Sequence, residues 1–320
     1  MEIRSVLLLG GTGFIGGHLA NRLTAQGVRV VVPTRRYERR KQVSLLPTVE
    51  MEQADIHDPA TLARLMADVD AVVNLVGVLH SRSGSPYGAD FARAHVELPR
   101  KIVAACKAAG VPRLIHISAL GAASDAPSEY LRSKEDGEQA IRAAGEDIAW
   151  TIFRPSVVFG PQDHFLNTFA CLARTFPVLP LAGANTRMQP IHVEDVGAAI
   201  AASLEREDSF KETFELAGPR VYTLRELVSY ASEQATGKRR CIVPLSGALA
   251  SLQATVLGML PGQLMTRDNL RSLERDSVAS GAPMPFGLVP RSVETSAPAY
   301  LGDHAAQTLY NDARRRARRI

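Results

Sequence analysis

The stretch Val6-Leu7-Leu8-Leu9-Gly10-Gly11-Thr12-Gly13-Phe14-Ile15-Gly16 decides the fold. Its first four residues are apolar and predict a buried parallel strand, and glycines follow at the spacing that lets a backbone turn tightly beside a pyrophosphate. Apolar residues then recur at helical spacing, so the turn opens a helix whose N-terminal amides favour phosphate. Because a second apolar strand, Val28 to Val32, follows, we interpret the turn as a dinucleotide site rather than as glycines that serve packing alone.

Composition and length indicate a globular chain. Its 320 residues are 46% hydrophobic and 22% charged, which is enough to bury a large core. No strongly apolar run reaches roughly 18 residues, and an apolar strand begins almost at once, so we expect a cytoplasmic protein. The three cysteines, Cys106, Cys171 and Cys241, lack metal-ligand spacing. We therefore expect neither a metal site nor disulfides.

The net charge of +4 is concentrated at one end of the chain. Five positive charges come from Arg314, Arg315, Arg316, Arg318 and Arg319. Such a run is either a solvated end or a contact for anionic lipid, nucleic acid or an acidic partner. We expect no nucleic-acid partner, and we leave open a peripheral membrane contact through the basic tail.

The end of the second strand bears on the choice of nucleotide. An NAD-binding protein usually places an acidic residue here to bind the ribose 2′-hydroxyl. This chain instead reads Pro33-Thr34-Arg35-Arg36. Two guanidinium groups would bind a 2′-phosphate, so the sequence favours NADP(H) over NAD(H). The alternative is that Arg35 and Arg36, with Arg39, Arg40 and Lys41, form only a solvated basic loop.

Strands and helices alternate through about the first 160 residues. The predicted strands continue at Val49–Ile56, Ala71–Gly77, Arg113–Ser118 and Ala149–Ser156, and the predicted helices span Pro59–Ala67, Asp90–Ala109 and a polar segment ending at Ala144. This pattern predicts an α/β fold of the Rossmann type, a doubly wound parallel sheet with helices on both faces. We assign 1–160 to this domain, 161–302 to a smaller, discontinuous C-terminal lobe of which about 186–204 return to the first domain, and 303–320 to the basic tail.

Tyr130 and Lys134 lie within the polar helix of the first domain. They are four residues apart and therefore share one helical face, where the ammonium group would favour the ionised phenol. Such a pair suits proton transfer beside a hydride acceptor. The alternative is an ordinary surface contact between a tyrosine and a lysine.

The C-terminal half is less regular. Ile191 to Val196 precedes an alanine-rich helix that ends near Leu204, and Thr223 with Glu226 forms a capping box for a helix through Gln234. No charge occurs from Cys241 to Thr266. We interpret that stretch as a buried helix over a ligand cavity, with a helix on a membrane surface as the alternative.

Several of these segments, in this order and spacing, resemble the short-chain dehydrogenase/reductase superfamily in its extended or atypical branch. They are Gly10 to Gly16, Asp55-Ile56, Asn74 to Gly77, Tyr130 with Lys134, Phe153-Arg154-Pro155-Ser156 through Gly160-Pro161, and Ile191 to Val196. Within the superfamily the chain looks most similar to bacterial relatives of the nucleotide-binding accessory subunit of respiratory complex I. That similarity rests on Asn74 to Gly77, Leu114 to Leu120, Tyr130 to Glu138, Phe214 to Pro219 and Pro298 to Gly302.

The resemblance implies a bound NADP(H), often held tightly as a structural ligand, and a set of site residues. The cofactor contacts would be Gly10, Thr12, Gly13, Phe14, Ile15, Gly16, Arg35, Arg36, Asp55, Ile56, Asn74, Leu75, Val76, Gly77, Ser118, Tyr130, Lys134, Arg154, Pro155 and Val157. Lys134 would bind ribose hydroxyls and lower the pKa of Tyr130, which exchanges the proton. In active members a Ser or Thr just after the fifth strand polarises the carbonyl. Here that donor is Ser118, or it is missing if the position falls on Ala119 or Leu120.

Three functions remain open at this point. The chain is a reductase of an apolar carbonyl or quinone-like molecule, a structural NADPH-binding accessory or assembly protein of a respiratory complex, or a nucleotide-sugar epimerase or dehydratase. The uncharged stretch favours an apolar substrate over a sugar diphosphate. The expected location is the cytoplasm, and a partner in a respiratory complex would place the protein peripherally at the inner membrane.

Overall fold

The computed structural model describes residues 1–36, 43–247, 249–251 and 266–302. The predicted basic tail, the basic residues 39–41 and most of the uncharged stretch lie outside the described residues. The chain divides into two compact units. The first comprises Met1–Pro155, Val193–Leu216 and Ala279–Val289, and the second comprises Ser156–His192, Ala217–Val278 and the residues from Pro290 onward.

A seven-stranded parallel sheet forms the centre of the first unit. With strands numbered along the chain, it contains β1 (Ser5–Leu9), β2 (Arg29–Thr34), β3 (Val49–Gln53), β4 (Ala71–Asn74), β5 (Arg113–Ile117), β6 (Ala149–Pro155) and β11 (Glu212–Leu216). The order is β11-β6-β5-β4-β1-β2-β3. In the centre, Leu7 pairs with Val31 of β2 and Val72 of β4. The strand order reverses between β1 and β4, where doubly wound sheets bind their ligands, so the predicted Rossmann fold is confirmed.

Helices pack around this sheet. They are α1 (Phe14–Ala25), α2 (Pro59–Met66), α3 (Ala89–Phe91), α4 (Leu98–Ala109), α5 (Glu129–Arg142) and α7 (Val193–Ser203). Buried side chains of α2, α4 and α5 join Leu7, Val72 and Trp150 of the sheet in one core cluster. Outside that cluster α1 packs against α7, where a Cβ on Gly197 would lie 4.0 Å from Leu19.

Local capping interactions set several helix ends where the sequence places them. The Asp58 side chain accepts from the Thr61 amide at 2.9 Å and Pro59 opens α2. Gly110 ends α4 in the left-handed region, with φ at 69°. These interactions satisfy backbone groups that a helix end leaves without intrahelical partners, which explains why the predicted boundaries agree with the structure to within a few residues.

The second unit is built from short strand pairs and two longer helices. Its elements are β7 (Val158–Phe159), α6 (Leu166–Thr175), β8 (Val178–Ala182), β9 (Arg187–Met188), β10 (Ile191–His192), β12 (Tyr222–Thr223), α8 (Leu224–Thr236), β13 (Cys241–Leu245) and short helices at Arg267–Ser272, Val293–Ser296 and Pro298–Leu301. β7 pairs with β10 and β8 with β13 in parallel, and β9 pairs with β12 antiparallel. The predicted Thr223–Glu226 capping box opens α8.

Two features of the first unit differ from expectation. The predicted single helix from Asp90 to Ala109 is interrupted by a π-helix at Ala92–Glu97. The sequence analysis also proposed no strand at Glu212–Leu216, which forms the seventh strand at the sheet edge. Among the described residues no helix is both long and apolar enough to cross a membrane.

Candidate nucleotide site

The glycine turn after β1 is too tight for any other residue type. Gly10 has φ at 82°, and a Cβ there would lie 3.1 Å from the Leu75 carbonyl carbon. A Cβ on Gly16 would lie 2.4 Å from the Gly10 carbonyl oxygen and 2.6 Å from the Gly11 Cα. Real Cβ atoms do not approach backbone this closely, so the start of α1 packs directly on the turn. The geometry matches the tight dinucleotide turn predicted from the sequence.

The N-terminus of α1 offers its backbone amides without a competing side chain. Gly13 is the N-cap residue, no side chain caps the helix, and its first turn contains no acid. Gly13 is exposed, whereas Thr12, Phe14 and Ile15 are partly buried. Free first-turn amides and the positive end of the helix dipole are what a pyrophosphate requires. The residues present therefore fit a dinucleotide.

Basic side chains gather beyond the ends of β2 and β3. Arg35 and Arg36 are both exposed at the end of β2. After β3, Asp55 Oδ1 accepts from the His57 amide at 3.0 Å, and Ile56 packs partly buried against the core. Asp55 and Ile56 thus lie just after β3, and their contact with a cofactor stays a prediction.

The pKa of His57 is affected by this positive charge. Burial lowers the pKa of its imidazole, and the charges of Arg93, Lys101 and Arg35 lower it further while Asp55 raises it. Lys101 Nζ also donates to the His57 carbonyl at 2.8 Å. No local sequence signal links Arg93 and Lys101 to this edge, because they lie in the helical segment after β4, far from the basic pair along the chain.

Asn74 fixes the strand ends beside the turn. It pairs in register with His116 of β5. Its Oδ1 accepts from the Val76 amide at 3.1 Å, and its Nδ2 donates to His116 Nδ1 at 3.0 Å. Since Nδ1 accepts, the ring proton lies on His116 Nε2, which is buried and has no hydrogen-bond partner among the described residues. Burial, and secondarily the Lys134 charge, lower the pKa of His116 to about 3, so this imidazole is neutral. Leu75 and Val76 are partly buried and Gly77 is exposed.

The side chain of Lys134 reaches from α5 to the end of β5. Its Nζ donates to the Ile117 carbonyl at 3.0 Å and lies 6.0 Å from the centroid of the Tyr130 ring. Burial lowers the pKa of Lys134 to about 8 and raises the pKa of Tyr130 to about 12. The net shift of the Tyr130 pKa is upward because burial removes solvation from the phenolate, and the expectation that Lys134 lowers this pKa stays a prediction.

Ser118 presents a buried hydroxyl that has no hydrogen-bond partner in the described structure. Its own amide donates to the Phe153 carbonyl at 2.8 Å, and the Leu120 amide donates to the Pro155 carbonyl at 2.9 Å. The backbone after β5 is thus fixed on β6, and neither Ala119 nor Leu120 has a side-chain donor. Of these three residues, Ser118 is the one whose side chain can donate to a bound group.

The π-helix contributes a residue that the sequence analysis missed. His95 is buried, and its ring lies 5.4 Å from Phe91 and 5.5 Å from Tyr130 between ring centroids. Its Nε2 accepts from the Val78 amide at 3.0 Å. Gly137 of α5 permits this packing, since a Cβ there would meet the His95 carbonyl at 2.1 Å. A π-helix departs from the period of an α-helix, so no regular pattern in the sequence marks His95.

Arg154 is held by carboxylates of α5. Its Nε donates to Glu138 Oε1 at 2.7 Å, and its Nη2 lies 2.9 Å from Glu135 Oε2. Pro155 ends β6, while Val157 belongs to the second unit, where its carbonyl accepts from the Ile191 amide. Contacts from Arg154, Pro155 and Val157 to a dinucleotide stay predictions.

Comparison with known proteins assigns the family. The profile described as "NAD dependent epimerase/dehydratase family" matches residues 6–217. The chain belongs to this family. It is accordingly an NAD(P)-binding protein of the atypical short-chain dehydrogenase/reductase superfamily, as the motifs implied.

Relatives within the family carry different descriptions. NADH dehydrogenase (ubiquinone) 1 alpha subcomplex subunit 9, mitochondrial, from Arabidopsis thaliana is 30% identical over 305 residues, which cover 90% of this chain and 74% of the relative. Ceramide reductase from Caulobacter vibrioides is 35% identical over 198 residues, covering 62% of this chain and 60% of the relative.

A solved structure shares the fold. UDP-glucuronic acid 4-epimerase from Bacillus cereus, in complex with a fluorinated UDP-glucuronic acid and NAD, superposes with a TM-score of 0.72 at 19% identity. The match covers 95% of this chain and 99% of the epimerase. At this identity the likeness shows the fold alone.

Proposed function

We propose that this protein binds NADP(H) in preference to NAD(H). The observation that carries the proposal is the exposed pair Arg35 and Arg36 at the end of β2, where the sequence 33–36 contains no acid. A guanidinium pair forms charge-assisted hydrogen bonds with a 2′-phosphate, whereas a ribose 2′-hydroxyl gains nothing comparable from it. Arg93 and Lys101 add positive charge around His57 on the same edge of the sheet.

The nucleotide preference is tested by a double substitution, Arg35→Ala with Arg36→Ala. We expect the affinity for NADPH to fall by about 100-fold, the loss expected from two charge-assisted bonds, while the affinity for NADH changes little. Arg29→Ala, at the opposite end of β2, is the matched control. Equal losses for both nucleotides would disprove the assignment of the arginine pair.

We further propose that the nucleotide is a structural ligand of a complex I-type accessory or assembly protein. The Arabidopsis relative named as a subunit of NADH dehydrogenase matches 90% of this chain. Ala119 and Leu120 carry no hydroxyl, which fits a site that binds its nucleotide without using it in a reaction. The partner would then be a respiratory complex, and the location peripheral at the inner membrane.

A reductase of an apolar carbonyl or quinone-like molecule is the second candidate, and the free hydroxyl of Ser118 favours it. In that role Ser118 would donate to the substrate oxygen, Tyr130 would exchange the proton, and Lys134 would hold ribose hydroxyls. NADPH supplies a hydride when bound. Leu79, which is 56% exposed beside the His95-bound Val78 amide, offers apolar surface. The relative named ceramide reductase is consistent with an apolar substrate.

One measurement separates these roles: the identity and exchange rate of the nucleotide in protein purified without added cofactor. NADPH that resists a chase with labelled NADPH for hours supports the structural role. Rapid exchange supports the reductase, and a screen of carbonyls and quinones would follow, with Ser118→Ala and Tyr130→Phe expected to abolish turnover. Retained NAD(H) together with turnover of a nucleotide sugar would instead favour an epimerase or dehydratase.

A further inference from the structure

The two-stranded sheet β8–β13 in the second unit has one buried face and one apolar exposed face. In its register Val178 lies opposite Cys241, and Pro180 lies opposite Val243. All four of these side chains are exposed, whereas Leu179 and Leu181, which alternate with them, are buried in the core of the unit. Alternation along a strand normally places polar residues on the solvent side. This sheet carries apolar residues on both sides.

The exposed fractions are large for apolar side chains. Val178 is 48% exposed and Val243 is 42% exposed, and Phe176, two residues before Val178, is 51% exposed. Leu249, a few residues after β13, is 59% exposed. We call Phe176, Val178, Pro180, Cys241 and Val243 the β8–β13 face. Single exposed apolar residues need no explanation, but a contiguous set on paired strands indicates an interaction surface.

Positive charge borders one edge of the β8–β13 face. Because the two strands are parallel, both begin at the same edge, and each is preceded there by cations: Arg174 before β8, and Lys238, Arg239 and Arg240 before β13. The ranges 166–182 and 238–251 contain these four cations and no acid. The apolar face therefore meets a basic edge rather than a mixed polar rim.

Most of that charge is not neutralised by the contacts these side chains make. Arg174 Nη2 donates to the Leu301 carbonyl at 3.0 Å, and Arg240 Nε donates to the Ala173 carbonyl at 2.8 Å. A carbonyl orients a guanidinium but removes no charge. Arg239 pairs with Glu233 at 3.0 Å, and this pair is largely exposed. A net positive edge remains beside the face.

We propose that the β8–β13 face rests on a bilayer that contains anionic phospholipid. The apolar side chains contact the hydrocarbon boundary, and the basic edge contacts headgroup phosphates, which is the combination that holds a protein on a membrane surface. The described residues from Cys241 onward in this stretch, 241–247 and 249–251, carry no charge, so none of these side chains opposes this contact. A protein partner would need acidic groups placed to match the edge, whereas an anionic bilayer supplies them at any lateral position.

The test is cosedimentation of the full chain with phosphatidylcholine vesicles, with and without roughly one third phosphatidylglycerol. We expect binding to the anionic vesicles only. The triple variant Phe176→Ser, Val178→Thr, Val243→Thr should bind at least about tenfold more weakly, and Lys238→Glu should weaken binding further. Val289→Thr, which changes an 87% exposed valine of the first unit, should bind like the unchanged protein.

A variant with Arg314, Arg315, Arg316, Arg318 and Arg319 changed to Ala distinguishes the face from the basic tail. The proposal expects this variant to keep most of its binding, and thermal unfolding of each variant confirms that the fold is intact. Full binding by the triple variant together with loss in the tail variant would overturn the proposal. So would failure of the unchanged protein to bind anionic vesicles, the outcome expected if the face docks a protein.

Discussion

Nδ1 of His95 lies 2.9 Å from Oγ of Ser133. Because Nε2 of the same ring accepts from the Val78 amide, Nδ1 carries the proton and donates to Ser133, whose hydroxyl donates in turn to the Tyr130 carbonyl at 2.7 Å. This chain of hydrogen bonds links the loop after β4 to the first turn of α5. Tyr130 is therefore positioned through a histidine of the π-helix.

Replacing His95 by Phe should lower the free energy of unfolding by about 2 kcal/mol, since the ring packing survives but the Val78 amide and Ser133 hydroxyl lose their partner. Urea unfolding monitored by circular dichroism measures the change. Ser133→Ala, which removes one end of the chain, should have a smaller effect. Equal stability of His95→Phe and the unchanged protein would show that these hydrogen bonds are replaced by water.

Acid should destabilise the protein below about pH 6.5. Burial lowers the pKa of His95 to about 2 and of His116 to about 3. In mild acid both histidines are therefore protonated in the unfolded chain and neutral in the folded chain. The full contribution of each histidine to the free energy of unfolding is therefore present above the unfolded pKa. As the pH is lowered below that value, the free energy of unfolding decreases by up to ~1.4 kcal/mol per pH unit for each histidine. Unfolding curves from pH 7 to pH 4.5 measure this slope. His116→Gln should flatten it, because this substitution removes one of the two buried histidines.

Arg113 should be among the most important residues for stability. It is fully buried, and its guanidinium donates to the carbonyls of Ser203 and Leu204 at the end of α7 and to Thr151 Oγ1. Arg113→Met should lower the free energy of unfolding by about 3 kcal/mol, since the Leu204 carbonyl and Thr151 Oγ1 would lose this donor in a buried position. The exposed Arg4→Met should leave the urea midpoint unchanged. A similar midpoint for both variants would contradict the assignment.

Gly16→Ala should abolish nucleotide binding. Its Cβ would meet the backbone of Gly10 and Gly11, so either the turn opens or α1 shifts. Gly197→Ala in α7 is the matched control, since its nearest neighbours would lie 3.9 Å away or more. Calorimetric titration with NADPH should detect binding for Gly197→Ala alone. Retained affinity in Gly16→Ala would mean that the turn is more adaptable than its close contacts indicate.

The sequence predicts the nucleotide turn and the central strands because their signals are local. Gly10 and Gly16 have backbone requirements that no other residue type meets, and strands such as Ala71–Asn74, buried on both faces, are continuously apolar. The family comparison then extends these local signals to residues 6–217. Fold class and nucleotide binding are thus readable from the sequence.

Features that depend on distant partners could not be predicted in this way. The seventh strand, Glu212–Leu216, reads as a mixed polar segment and becomes a strand only through its pairing with β6. His95 enters the site through a π-helix, whose period leaves no regular pattern. The raised pKa of Tyr130 follows from burial of the phenol. That burial cannot be inferred from the four-residue spacing between Tyr130 and Lys134.

The first unit is assembled from three segments that are far apart in the sequence, and this affects how it folds during synthesis. Arg113 emerges from the ribosome long before Ser203, Leu204 and Ser209, and β6 emerges before its neighbour β11. During synthesis the first 155 residues therefore lack the partner strand of β6 and those acceptors of Arg113 that lie after α7 begins, and the exposed strand edge favours aggregation or chaperone capture. An expression boundary drawn after β6 would make that transient species permanent.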